Sequence, residues 1–243
     1  TPASVCFFFL LPVSSQVLTV SGGWGLGVLY LSVVWVSFLM GGIFPVLCHF
    51  GICSEGSVGM SIAWIYLANI LGSTSGPIIT GFVLMDIETI EHTILILSVM
   101  TLALAEIVWF AAPVLRKRRR VLLGGTVCLM AGMLFTQETV YHPFTEKIHF
   151  HTEYAPQGYR YSVQNRSGVV GVWAPNLLYG DGTYDGRFTI DPVQNANLIT
   201  RAYFIPALSP KPGRVLQVGL GGGAWARVIA DYPDVKSLKI VEI

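Results

Sequence analysis

The chain of 243 residues is 53% hydrophobic and only 12% charged, with a mean hydropathy of +0.61 and a formal net charge of +1. An ordinary soluble domain has about a quarter of its residues charged, so the composition sets that class aside in favour of a membrane protein. Residues 1–115 contain no Lys or Arg, while ten of the fifteen basic residues follow position 136, so two unlike materials are joined in one chain.

A helix that crosses the roughly 30 Å hydrocarbon layer needs about 20 apolar residues. Such runs fall at 4–21, 24–50, 59–84 and 92–115, with a shorter one at 121–137, and residues 1–137 are predicted to form integral membrane helices. The second run is long enough to tilt or to break at Gly41-Gly42 and Pro45, where a helix kink is expected. The third carries Gly72, Ser73, Gly76 and Thr80 at helical spacing, and small residues of this kind let a neighbouring backbone come close in lipid.

Asn69 and Glu106 are the polar exceptions inside these runs. Ionisable groups within a bilayer are expensive, and without a Lys or Arg in the spans Glu106 is expected to be an inter-helix hydrogen bonder or a protonated acid. Cys6, Cys48, Cys53 and Cys128 lie in or beside apolar runs, with no CxxC pair and no neighbouring His cluster. They are expected to be buried small hydrophobes, not a disulfide framework or a zinc site.

An acidic loop at 85–91 precedes the run Arg116-Lys117-Arg118-Arg119-Arg120. A basic run flanked by apolar segments reads as a topology determinant, not as a nucleic-acid patch, and the positive-inside rule puts 116–120 in the cytoplasm and 85–91 outside. If 121–137 crosses fully, all that follows lies outside the cytoplasm, where nucleotide-type cofactors are scarce. This run is short and holds Gly124, Gly125 and Gly132, so a re-entrant or interfacial segment also fits it, and the side of the membrane stays open.

Residues 138–190 read as a small β-rich segment. Polar and apolar residues alternate in KIHFHTEY (147–154), YRYSVQN (159–165) and GVVGVW (168–173), as in short antiparallel strands. APNLLYGDGTYDGRF (174–188) reads as loop or turn. His149 and His151 would share one strand face, and two His without a third ligand read as a solvated face, so no metal is expected.

Residues 191–243 read as the start of an α/β domain. Asp191 as N-cap and Pro192 at the first helical position open a helix to about Leu208, and SPKPG punctuates its end. RVLQV (214–218) reads as a buried parallel strand, followed by Gly219, Gly221, Gly223 and Ala224, a helical pattern over Trp225–Tyr232, and a second strand over 238–242. Gly219 permits a tight turn, Gly221 lets backbone approach a ligand, and Ala224 lets the helix pack close to the strand. Glu242, at the end of the second strand, can accept hydrogen bonds from both hydroxyls of a ribose. Folds that bind NAD and folds that bind S-adenosylmethionine share this pattern, and its spacing does not separate them.

The stretch RVLQVGLGGGAWARVIADYPDVKSLKIVEI resembles the nucleoside-binding signature of the spermidine synthase (polyamine aminopropyltransferase) family in its membrane-attached bacterial form. NANLITRAYFIPALSPKPGRVL resembles the helix and Pro-rich link leading into it, and MGGIFPVL and IYLANILGSTSGPIITGFVL resemble the membrane segments fused to some members. The resemblance implies a multi-domain protein: a transmembrane helical bundle, a short antiparallel β segment, and the start of a Rossmann-like domain of the S-adenosylmethionine type.

It also implies a transferase that moves an aminopropyl group from decarboxylated S-adenosylmethionine to putrescine or a related amine, releasing methylthioadenosine. No metal is needed, because the sulfonium is already a good leaving group; orientation and a carboxylate that deprotonates the amine suffice. Gly219, Gly221 and Gly223 would face the nucleoside and Glu242 its ribose. The family's catalytic Asp lies on a loop past the second strand, hence beyond Ile243, and a chain that begins at Thr1 without methionine is expected to be a fragment. Soluble members favour an Asp in the glycine loop, where Gly222 stands here, so the substrate amine is left open.

Asp181, Tyr184, Asp185 and Tyr203 are candidates for anionic and cation-π contacts to a polyamine, or else turn formers with a half-buried tyrosine. The expected partners are the lipid bilayer and a small polyamine, without nucleic acid and with room for a homo-oligomer, at a multi-pass location in the cell inner membrane. A methyltransferase-like enzyme on the same fold, or a transporter or sensor with a ligand-binding domain, are the alternatives.

Overall fold

A computed structural model describes residues 2–21, 23–51, 57–111, 116–150, 158–173 and 175–242. They divide into a helical unit, to which the short segment Gln164–Ser167 also belongs, and a second unit made of the remaining residues from 155 onward.

The helical unit contains α1 (Pro2–Ser21), α2 (Gly23–Gly41), α3 (Ile43–Gly51) and α4 (Val58–Ile79). A π-helical turn at Thr80–Leu84 carries α4 into α5 (Met85–Ile87), and α6 (Ile90–Ala111), α7 (Arg116–Tyr141) and α8 (Phe144–Phe150) follow. Among the described residues, four stretches are long and apolar enough to cross a membrane: Trp24–His49, Val58–Ile87, Ile90–Phe110 and Arg118–Tyr141. Val5–Ser21 is a shorter apolar helix. The chain breaks between α2 and α3 at Gly42, as the glycine pair suggested, and the Gly42 amide donates back to Phe38 O at 3.3 Å.

The run at 121–137 is the middle of one continuous helix that begins in the basic run. Other expectations are corrected. KIHF at 147–150 is the end of α8, not a strand; helix contacts with α1 outweigh its alternating pattern, and His149 is helical while His151 lies outside the described residues. Cys6 and Cys48 are half-buried and Cys128 is exposed, so these thiols are not core residues of the unit, and Cys53 lies outside the described residues. Oε2 of Glu106 is buried and makes no hydrogen bond among the described residues.

Pro12, inside α1, explains how this unit is tied together. Without an N–H, Pro12 cannot bond the carbonyl of Phe8, four residues earlier, and the Tyr141 hydroxyl supplies the missing donor at 2.7 Å. The rings of Phe8 and Tyr141 lie 5.1 Å apart and those of Tyr141 and Phe144 5.4 Å apart, in a core that also takes in Leu11, Ile94, Leu102 and Met133. α1 and α2 come closer still: a Cβ on Gly25 would lie 2.3 Å from Leu18 Cα. The buried hydroxyls of Ser14 and Ser32 meet between these helices at 3.2 Å.

The second unit begins with a four-stranded sheet in the order β1 (Tyr159–Asn165), β2 (Gly168–Trp173), β3 (Leu177–Gly180), β4 (Thr183–Arg187). The expected loop at 174–188 is therefore largely a hairpin, turning at Asp181-Gly182, where both residues have positive φ (+48° and +77°) as the Asp-Gly hairpin turn requires. The expected helix over 191–208 is replaced by three short pieces: a 3₁₀ turn at Ala196–Leu198, α9 (Thr200–Tyr203) and α10 (Ile205–Leu208). Left-handed φ values at Asn195, Asn197 and Leu198 break the first part, and Pro206, which has no N–H to give, starts α10 afresh.

β5 (Arg214–Val218), α11 (Ala224–Ala230) and β6 (Ser237–Val241) complete the unit, with β5 and β6 parallel. Ile199, Ala202, Ala224, Val228 and Ile229 form its core. β5 is half-buried on one face only, not the buried strand expected: Val215 and Gln217 turn inward, whereas Leu216 and Val218 are 63% and 64% exposed, because the helices among the described residues cover a single side.

Tyr141→Phe is expected to destabilise the helical unit by about 1–3 kcal/mol, the cost of orphaning a buried acceptor. In a Pro12→Ala background, where the new backbone N–H at that position can serve Phe8 O, the same change should cost much less. Thermal unfolding of the four variants in detergent measures that coupling, and equal losses in both backgrounds would refute it.

Candidate functional site

The turn between β5 and α11 depends on three glycines in the left-handed region, Gly219, Gly221 and Gly223, at φ +82°, +51° and +74°. That region costs an L-residue with a Cβ about 1–2 kcal/mol. Two hydrogen bonds hold the loop to the end of β6: the Gly219 amide donates to Val241 O at 2.8 Å, and the Leu220 amide donates to the Glu242 carboxylate. The Gly223 amide closes the turn on Leu220 O at 3.0 Å. Glu242 therefore stands at the glycine loop, and it fastens that loop. A carboxylate has about four lone-pair sites, so this bond leaves acceptor capacity free.

A cavity of about 460 Å³ opens beside the loop, lined by Gly219–Gly222 and by apolar groups that include Val215, Ile205 and Trp225. Asp185, Asn197 and Gln217 are its polar side chains. Asp185 reaches it through a β-bulge. Tyr179 pairs with Tyr184 and Leu178 with Gly186, which leaves Asp185 as the extra residue, and bulges re-aim side chains in this way. Gly186, at φ +154°, lets Asn197 pack against the bulge, since a Cβ there would lie 2.7 Å from the Asn197 amide. Asn197 donates to Arg187 O at 3.0 Å, and its own carbonyl accepts from Trp225 Nε1 at 3.0 Å. Gln217 donates from Nε2 to Gly219 O at 2.8 Å and keeps a buried Oε1 without a partner among the described residues. The reverse amide orientation would set two oxygens against each other.

The other three amine-pocket candidates lie elsewhere. Asp181 forms the β3–β4 turn, with Oδ1 accepting from the Val169 amide at 2.7 Å. Tyr184 stacks edge-on against Tyr179 at 6.0 Å on the sheet, and Tyr203 donates its hydroxyl to Ile190 O at 2.9 Å. Only Asp185 of the four lines the cavity. Tyr232, whose hydroxyl donates to Ala202 O at 2.9 Å, has its pKa raised by burial first and by Tyr203 second. Sequence reasoning missed Asn197, Trp225 and Gln217; of these, only Gln217 left a signal, as the one amide within an apolar strand run.

No protein-family model, curated protein or solved structure significantly matches the chain.

Gly222 differs from its neighbours: it has no positive φ, and a Cβ there would meet nothing nearer than Arg187 O at 3.6 Å. Gly221→Ala is thus expected to cost about 1–2 kcal/mol of stability through its left-handed φ, whereas Gly222→Ala should be near neutral. Thermal unfolding of the two variants compares them, and equal losses would contradict the loop geometry.

Proposed function

We propose that the chain is part of a membrane-anchored, aminopropyltransferase-like enzyme, multi-pass in the cell inner membrane, whose Rossmann-like β5–α11–β6 segment binds the nucleoside of decarboxylated S-adenosylmethionine and whose acceptor is putrescine or a related amine. The observation that carries the reading is the carboxylate of Glu242 at the edge of a left-handed glycine loop beside a cavity of some 460 Å³. Backbone without side chains at Gly219 and Gly221 leaves room for a sugar, and Glu242 offers it acceptors.

Among the lining residues, Asp185 supplies the negative charge that an ammonium group seeks, and Trp225 a π face. In the reaction so proposed, the amine nitrogen bonds to the methylene carbon attached to sulfur while that C–S bond breaks. The electron pair stays on sulfur, giving methylthioadenosine, and the amine proton passes to a carboxylate. Within this chain, Asp185 would act on the amine through charge.

Calorimetry with methylthioadenosine tests the nucleoside part. Glu242→Ala is expected to weaken binding by at least about tenfold, or 1.4 kcal/mol, while Glu242→Gln, which still offers Leu220 N–H an acceptor, should lose less. Unchanged affinity in Glu242→Ala would remove Glu242 from the site. Gly222→Asp should favour decarboxylated S-adenosylmethionine over methylthioadenosine, because it returns a carboxylate near the amine.

A further inference from the structure

We infer that the chain beyond α8, and with it the candidate cavity, lies on the side of the membrane opposite the cytoplasm, so that ligand enters the cavity from there. α6 is electrically polarised from end to end. Glu91 lies in its first turn; at its last, Arg119 Nη2 donates to Phe110 O at 3.1 Å and the guanidinium lies 5.3 Å from the Phe110 ring centre.

α7 starts in the basic run beside the end of α6 and returns without interruption over Arg116–Tyr141, of which Arg118–Tyr141 is long and apolar enough to cross. Just past it, Thr145 donates to the Glu91 carboxylate at the beginning of α6. The two helices therefore run antiparallel over their whole length; a re-entrant α7 would return Thr145 to the arginine end.

Residues 164–167 belong to the same end. Gln164 Oε1 accepts from the Ile90 amide at 3.0 Å, and Arg166 pairs with Asp86 at 3.3 Å above the Phe82 ring. One end thus holds the five consecutive cations of 116–120, and the other Asp86, Glu88 and Glu91, with Arg166 paired to Asp86. Residues 121–167 add three scattered basic residues, Lys147, Arg160 and Arg166. Cytoplasmic loops are the Lys/Arg-rich ones, so the Glu91 end, from which the chain leaves the helices, is the outer one.

For the identity of the ligand the inference rests on the nucleoside reading above; for the side it does not. A sulfonium nucleoside carries a fixed charge and does not cross a bilayer unaided, so an export step must supply a cavity on this side.

The test is the full chain in a bacterial inner membrane, carrying alkaline phosphatase or green fluorescent protein after Ile243. Active phosphatase and dark fluorescent protein are expected; the reverse overturns the inference. Single cysteines at Ser209→Cys and Arg118→Cys, with the four native cysteines replaced by serine, give a second measurement with an impermeant maleimide. Ser209→Cys should label in spheroplasts and Arg118→Cys only after lysis, whereas the opposite pattern overturns the assignment even if both reporters are silent. Methylthioadenosine binding by the detergent-solubilised chain does not depend on sidedness, so cytoplasmic reporters with binding intact refute only the sidedness, and absent binding with outward reporters refutes only the nucleoside reading.

Discussion

A peptide carbonyl without a donor costs several kcal/mol in hydrocarbon, and Pro12 creates one at Phe8 in the middle of α1. The structure answers with a hydroxyl from a residue 133 positions away: Tyr141 closes that gap, and in doing so fixes α1 against the end of α7. The packing around the ends of α7 and α8 centres on this tie. Phe8, Tyr141 and Phe144 stack as a consequence of it, and α8 is held at α1. With α8 in place, Thr145 meets Glu91 and the start of α6 is fastened. Polar groups are also hidden locally: Thr101 and Thr136 each turn a hydroxyl back to the carbonyl four residues earlier, which needs no distant partner.

How far the sequence could be read depended on whether the signal was local. Apolar spans are legible because length and composition alone set them, and the break at Gly42 because glycine pairs are common kink sites. The glycine loop was legible because Gly219, Gly221 and Gly223 perform a backbone task that other residues perform only under strain. The failures are tertiary. KIHF alternates like a strand yet packs as helix α8, and DPVQNANLITRAYFIPAL is broken at left-handed residues of which Asn197 is bonded to Arg187 O on β4 and to the Trp225 indole of α11. Asp185 was legible as an acid, but its place at the cavity depends on a bulge that only strand register creates.

The site differs in one physical respect from a glycine loop read as a ligand cradle alone. Glu242 is bonded to Leu220 N–H, so the carboxylate proposed to bind a ribose also holds the loop in shape. Binding and loop order are then one equilibrium: a ligand that draws on Glu242 competes with, or shares, the bond that forms its own cradle. Gln217 has a similar double role, with Nε2 spent on Gly219 O and Oε1 left over. Since an unpaired buried acceptor is costly, a ligand that gives it a donor is favoured over one that does not, and this disposes the proposed site toward nitrogen- or hydroxyl-bearing groups.

The polarisation of α6 suits folding and orientation together. An acid at the first turn and a guanidinium on the last carbonyls each contribute about 0.3–1 kcal/mol through the helix dipole, a small sum beside the burial of an apolar span. Orientation depends on the same charges in another way, because five adjacent cations resist transfer across the membrane while the spans tolerate either direction. The helix would remain a helix if reversed, but its arginines would not remain in the cytoplasm. In the topology proposed above, the side of the membrane is decided by the charges at 116–120, and α7 transmits that decision to everything after Tyr141.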